Sequence, residues 1–390
     1  MEFRNMKYMG SKKNMLLNGL GDTFFEEIQN RTRVVDLMSG SASVAWFIAQ
    51  NFDVEVIAID LQKYSQILAN SVLQRTKKLK TEDFWENWFL TYKEKLTNHP
   101  LYKDSSLLDK KNLKISEWSK KAKFLCSSKQ GGIVWNAYGG YYYSPFQALQ
   151  FDMLLESIEF DDPIISVAQA SVIIAASQCS ASPGHTAQPF KPNETAGIYL
   201  KEAWQRDPVY YTKRAFNHIA DKYSNLTGNA YVMDALVFAK TLNEKDLVFI
   251  DPPYSGVHYS RFYHVLESIA RGYVGEISGV GRYPSQIERP VSPLSRKSES
   301  ELYFRKLIKQ LSERVSNVII TYPDRVCSNG LSGDKVLEIC SDYFHIKRRV
   351  IDSKFSTLGG NNKTRLARQK TGEMILVLTN SLSRKYASTK

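Results

Sequence analysis

The chain has 390 residues, 43% of them hydrophobic, with 52 Lys and Arg against 40 Asp and Glu, a formal charge of +12. That length and apolar content support a large packed core and argue against a disordered or fibrous chain. The four scattered cysteines (Cys126, Cys179, Cys327, Cys340) form no C-x-x-C pair, which excludes a disulfide framework and a zinc site and predicts buried free thiols. No apolar run reaches bilayer length and no apolar leader opens the sequence, so a soluble cytoplasmic protein without a membrane partner is expected. The positive charge points toward a polyanion, nucleic acid being the commonest.

In chain order, Val34-Val35-Asp36-Leu37 reads as a strand, Ser39-Gly40-Ser41 as a small-residue turn, and Ser43 to Gln50 as a helix. Val54 to Ile59 predicts a second strand ending at Asp60, and Tyr64, Ile67, Leu68 and Val72 mark a helical stripe. Strand, turn, helix, strand, helix is the alternation that builds parallel sheet. From Lys77 the composition turns charged, aromatic-rich and helical, with a tyrosine cluster at Tyr138, Tyr141, Tyr142 and Tyr143. Strand-like runs return at Ala230–Met233, Leu247–Ile250, Val318–Thr321, Ile346–Ile351 and Met374–Leu378. The last two have no helix between them and predict an antiparallel hairpin. We expect one α/β core, residues 1–76 and 225–390, interrupted by an insert at 77–224.

The strongest chemical signal is Asp251-Pro252-Pro253-Tyr254, directly after the strand Leu247–Ile250. Ligands of open parallel sheets bind beyond the carboxyl ends of the strands. Two prolines stiffen the backbone and remove two amide donors. What remains is a rigid pair of acceptors, the Asp251 carboxylate and the Pro252 carbonyl, followed by an aromatic face. Such a pair suits a planar exocyclic amine: holding both N–H groups localises the nitrogen lone pair toward an electrophile, while Tyr254 stacks on the base.

The second element, Asp36 to Ser43, ends a strand in a carboxylate and continues through small residues that let a ligand approach the backbone closely. Asp36 suits an ammonium better than a phosphate. Asp60 is placed like the acid that grips a ribose in dinucleotide-binding folds. The third element, Lys7-Tyr8-Met9-Gly10-Ser11-Lys12, offers a turn and a cation suited to a carboxylate.

These three elements, in this order, resemble the Dam-like family of N6-adenine DNA methyltransferases. The resemblance covers roughly residues 1–75 and 225–380. It implies a Rossmann-like S-adenosylmethionine-dependent methyltransferase core with a mainly helical target-recognition insert. Under that resemblance Tyr8, Ser11, Lys12, Asp36, Ser39, Gly40, Ser41, Asp60, Asp234 and Ala235 would contact S-adenosyl-L-methionine. Asp251, Pro252, Pro253 and Tyr254 would engage an adenine flipped from double-stranded DNA. Met38 and Ala42 depart from the family pattern, which usually has Phe and Gly there, and put cofactor affinity in question more than chemistry.

Phosphate contacts are expected from Arg261, from the loop carrying Arg282 and Arg289, and from the basic stretch with Arg348, Arg349, Lys363 and Arg365. A bacterial or phage setting, near the nucleoid, with a cognate restriction endonuclease or defence-system subunits as partners, is a family-level expectation. Four other readings stay open: the N4 amine of cytosine as acceptor, an RNA adenine, a glutamine side-chain amide in a protein, which the large insert and basic loops disfavour, and an inactive DNA-binding relative.

Overall fold

The computed structural model describes residues 12–356 and 368–380. They form two compact units, one of residues 62–224 with 260–290, the other of 12–61, 225–259 and the described residues from 291 onward.

The second unit is built on a seven-stranded sheet. Its strands are β1 (Arg33–Asp36), β2 (Glu55–Asp60), β3 (Asn229–Val232), β4 (Asp246–Ile250), β5 (Asn317–Pro323), β6 (His345–Ser356) and β7 (Arg368–Thr379). The sheet order is β3-β2-β1-β4-β5-β7-β6. β3 to β5 through the centre pair in parallel, and β7 lies antiparallel between β5 and β6, the hairpin expected from the missing helix. Every residue of β4 and β5 is buried, which is why both read as unbroken apolar runs rather than alternating ones.

Period two still decides which face each residue serves. Val248, Ile250, Val318 and Ile320 join a core with Phe304, Leu307, Ile308 and Leu311, the i, i+3, i+4, i+7 stripe of the helix Ser300–Ser312. Phe249 faces the other way and meets Phe24 edge-on, ring centroids 5.5 Å apart. At the amino end of β4, Arg33 forks onto Asp246 with two bonds of 2.8 Å.

Chain order reverses at the β1–β4 neighbourhood, since β1 continues to β2 on one side and β4 to β5 on the other. Open α/β sheets bind ligands beyond the strand ends at this switch point. Asp36 and Asp251 stand there together. After β1, Ala42 takes a left-handed conformation (φ 59°) with its side chain fully buried, and the helix Ser43–Asn51 starts without a side-chain cap. A Cβ in this region costs about 1–2 kcal/mol, of which glycine's extra backbone entropy returns roughly 0.5–1. Ala42→Gly is therefore expected to raise stability by about 0.5–1 kcal/mol, seen as a higher urea midpoint at unchanged slope. A lower midpoint would show that the methyl packs better than it strains.

The first unit is helical. Ile164–Cys179 is apolar almost all round, and 12 of its 16 residues are buried. It packs against Pro208–Ala220 and Lys63–Leu73. The stripe Tyr64, Ile67, Leu68 and Val72 is thus covered by the insert, so this unit begins at Gln62 rather than at 77. It also takes in residues 260–290, whose helix His264–Arg271 packs on Lys63–Leu73. Arg75 ties the helix ends together, donating to the carbonyls of Ser71, Ile219 and Lys222.

Three of the four clustered tyrosines are core. Tyr138, Tyr142 and Tyr143 are fully buried, and their hydroxyls bond Ser268 Oγ, the Thr186 carbonyl and the Ala176 carbonyl at 2.7, 2.6 and 2.9 Å. All four cysteines are free and buried. Among the described residues no helix is long and apolar enough to cross a membrane.

Candidate active site

The site grows from the carboxyl ends of β1, β2 and β4. Asp251 follows β4 directly, and its Oδ1 is engaged twice. Lys12 Nζ lies 3.0 Å away, and the Thr321 hydroxyl, from the neighbouring strand β5, donates at 2.8 Å. Lys12 is 4% exposed and has a second carboxylate, Glu373 of β7, at 3.6 Å. Burial alone would pull the Lys12 ammonium down, but Asp251 and Glu373 outweigh it and hold the cation above its ordinary range. Burial pushes the Asp251 carboxyl up, Lys12 opposes this, and Glu373 adds to it.

The tetrapeptide is braced from the loop after β5. Asn329, fully buried, donates to the Pro253 carbonyl at 2.9 Å and to the Leu294 carbonyl at 3.0 Å. Its own Oδ1 accepts from Tyr322 and from the Leu331 amide. The Gly256 amide donates to Ser328 Oγ at 2.9 Å, and a Cβ on Gly256 would meet the Ser328 carbonyl at 2.7 Å. Pro253 is thereby engaged. Among the described residues, Asp251 Oδ2 and the Pro252 carbonyl accept nothing. Two acceptors are locked by the protein and two are left open. Tyr254 sits half-buried against the apolar core, beside this open pair.

The loop after β1 carries the second half of the site. Asp36 is buried, and its Oδ1 accepts from the Met38 amide at 3.3 Å. Its carboxyl is pushed well above the usual range, first by burial, against the pull of the Met38 amide, and then by the neighbouring carboxylates Asp251 and Asp60. Asp60 Oδ2 accepts from the Gly40 amide at 2.8 Å. Ser39 Oγ is buried with no hydrogen-bond partner among the described residues, while Ser41 reaches Ser43 at 3.3 Å. Three acids converge around a small-residue loop with an orphaned hydroxyl. This donor set fits a ligand carrying fixed positive charge and a polar group for Ser39, as S-adenosylmethionine does with its sulfonium and ammonium.

Several expected roles shift. Lys12 is committed to Asp251 and Glu373 rather than waiting for a carboxylate, because two buried acids surround it. Asp234 caps the helix Ala235–Phe238, accepting from the Leu236 and Val237 amides, and also takes the Tyr303 hydroxyl at 2.8 Å. Its first duty is thus structural, and Ala235 beside it is buried. Arg282 donates to the Ala137 and Asn136 carbonyls at the end of the helix Ile133–Tyr138, so its guanidinium is spent on the insert. Arg349 forks onto Glu26 at 2.8 and 2.7 Å and is likewise engaged.

Arg348 is exposed on β6. Arg261, exposed, and Arg289, half-buried, lie over the Tyr283 ring at 4.6 and 5.7 Å in the helical unit. Tyr8, Ser11, Lys363 and Arg365 lie outside the described residues. Sequence reasoning missed Thr321, Asn329 and Glu373. The signal that marks them is polarity within otherwise apolar strands and their turns, legible only once the strand order is known.

Residues 191–317, about a third of the chain and including Asp251–Tyr254, match the family model of the D12 class N6 adenine-specific DNA methyltransferases. Modification methylase LlaI of Lactococcus lactis subsp. lactis is 25% identical over 335 residues, 82% of this chain and 46% of that protein. Type II methyltransferase M.CviAII of Paramecium bursaria Chlorella virus 1 is 24% identical over 324 residues, 81% of this chain and 82% of that protein. The chain thus spans less than half the length of the first relative. With an α/β sheet of this order beneath the matched motif, residues 191–317 are similar to the D12 class of N6 adenine-specific DNA methyltransferases.

Proposed function

We propose that the protein transfers a methyl group from S-adenosyl-L-methionine to the exocyclic N6 of an adenine in double-stranded DNA. The observation that carries this reading is the open acceptor pair, Asp251 Oδ2 and the Pro252 carbonyl, beside a cluster of acids suited to a cation. When bound, the cofactor supplies an electrophilic methyl carbon on a sulfonium. Asp251 and Pro252 accept the two N–H groups of the amine and pull them out of the ring plane, which returns the lone pair to nitrogen. Tyr254 stacks on the base and fixes its plane relative to the acceptors. Burial works against ionisation of Asp251, and Lys12 opposes it, favouring the anionic form that is able to accept. Displacement at carbon needs no enzyme nucleophile, in keeping with four buried cysteines.

A base within a duplex cannot reach such a pair, so the base is flipped out; of the arginines expected at phosphates, Arg261, Arg289 and Arg348 are those among the described residues whose guanidinium is not hydrogen-bonded within the protein. The names of the relatives, a modification methylase and a type II methyltransferase, favour a protective role beside a restriction endonuclease or other defence subunits.

The test is transfer of labelled methyl from S-adenosylmethionine to mixed duplex DNA, followed by nucleoside analysis. N6-methyladenine is expected. Label in cytosine, in RNA alone or nowhere would each overturn the reading. Within it, Asp60→Ala is expected to raise the cofactor Kd about tenfold, or 1.4 kcal/mol, since Asp60 also shapes the loop through the Gly40 amide. An unchanged Kd by calorimetry would remove Asp60 from the site.

A further inference from the structure

The Asp251 carboxylate has two chemically equal oxygens, and a flexible carboxylate would offer either one to a substrate. Here the two are not equivalent. Oδ1 receives both the Lys12 ammonium at 3.0 Å and the Thr321 hydroxyl at 2.8 Å, whereas Oδ2 has no partner among the described residues. The two donors come from different elements. Thr321 follows Ile320, which pairs with Ile250, so strand register sets it beside Asp251. Lys12 arrives from the segment ahead of the first helix.

The cation itself is held from behind. Glu373 lies opposite Pro323 in the antiparallel pairing of β5 with β7, and its Oε2 is 3.6 Å from Lys12 Nζ. Charge repulsion alone gives no reason for this arrangement, because a second carboxylate next to Asp251 opposes the anionic form. Geometry does give one. A lysine stem carries several rotatable bonds, and a cation pulled from two sides keeps one place.

We infer that Lys12, Thr321 and Glu373 are positioning residues that saturate one oxygen of Asp251 and so turn the other toward the substrate amine. The set rests on the methyltransferase reading above. Lys12 and Thr321 fix the carboxylate's rotation about its Cβ–Cγ bond. Glu373 acts one step further out by holding Lys12. An amine bound to a carboxylate free to rotate would lose the alignment with the Pro252 carbonyl that its two N–H groups require, and small misplacements of this kind cost rate rather than affinity.

The titratable and charged groups that face Asp251 are Lys12, Glu373, Asp36 and Tyr254. This makes Glu373→Gln a discriminating variant. If Glu373 were only a nearby negative charge, its removal would ease ionisation of Asp251, and the acid limb of the kcat profile would move to lower pH with kcat intact. If it holds Lys12, loosening the cation lowers kcat and moves the acid limb to higher pH, in the direction of Lys12→Met.

The experiment is the pH profile of kcat for the full chain, with KM for duplex DNA and Kd for S-adenosylmethionine measured beside it. Wild type, Lys12→Met, Glu373→Gln, Thr321→Val and Thr321→Ser are compared. Expected are losses in kcat of about 100-fold for Lys12→Met and about tenfold for Glu373→Gln and Thr321→Val, with KM and Kd within twofold. Thr321→Ser, which keeps the hydroxyl, recovers most of the rate and guards against a packing effect. An unchanged kcat in Glu373→Gln and Thr321→Val, or an acid limb moved to lower pH in Glu373→Gln, would overturn the positioning role while leaving the methyltransferase reading standing. A wild-type protein that transfers no methyl overturns both.

Discussion

Asp251→Ala is expected to lower methyl transfer by roughly 10²–10³-fold, the loss typical of deleting one preorganised polar contact to the reacting group, while Kd for S-adenosylmethionine stays within a few fold. The asymmetry follows from where the charge sits. Asp36 and Asp60 lie on the loop and strand proposed to hold the cofactor, whereas Asp251 Oδ2 belongs to the proposed acceptor pair. Asp251→Asn sharpens the test. Its amide nitrogen must point either at Lys12, a donor meeting a cation, or at the substrate amine, a donor meeting a donor. Both orientations fail, so Asn is expected to be nearly as inactive as Ala despite its shape. A steady-state assay with an independent calorimetric Kd measures both quantities. Near-native turnover in either variant would remove the acceptor mechanism altogether.

The second large effect sits at the other end of the same strand. Asp246 opens β4, is fully buried, and accepts two bonds from Arg33 and one from the Asn243 amide. Removing one partner of such a pair strands the other, at a cost of about 3–5 kcal/mol. Arg33→Met is expected at the lower end, about 3 kcal/mol, because the arginine side chain is 23% exposed and water softens the loss. The check is a denaturant midpoint compared with wild type. Arg33→Met combined with Asp246→Leu should recover much of the loss, since the buried charge then disappears too. Per folded molecule the rate should hold, as five residues of extended chain, about 16 Å, separate Asp246 from Asp251. A variant as stable as wild type would mean the carboxylate finds another donor.

Two aspartates at opposite ends of one strand, Asp246 opening it and Asp251 directly after it, therefore read alike in sequence and do unlike work. Asp251 was legible because Pro-Pro-Tyr follows it and makes a rigid acceptor display that few structural turns need. Asp246 carries no such flag. Its role appears only with β1 alongside, because Arg33 is far away in the chain. Asn329 is a similar case: an asparagine in a polar turn looks like a loop residue, and only the folded chain shows it buried and gripping the Pro253 carbonyl. The basic residues show a different case. Arg282 and Arg349 looked like phosphate contacts, but a cation near a helix end or a glutamate is satisfied within the protein, and linear sequence does not count its neighbours.

By itself the sequence determined the alternation that makes a parallel sheet, the acids at the ends of β1, β2 and β4, and the acceptor tetrapeptide. All of these depend on short-range pattern: hydrophobic period, proline stiffness and the small residues of a turn. Only the tertiary structure decided which oxygen of Asp251 the described residues leave open, that Lys12 serves that carboxylate, that three of the clustered tyrosines are core, and that the helix Lys63–Leu73 belongs with the insert. Each is a question of which groups meet across long stretches of chain, and burial and strand register settle it, because a buried charge or hydroxyl must find its partner wherever the fold brings one.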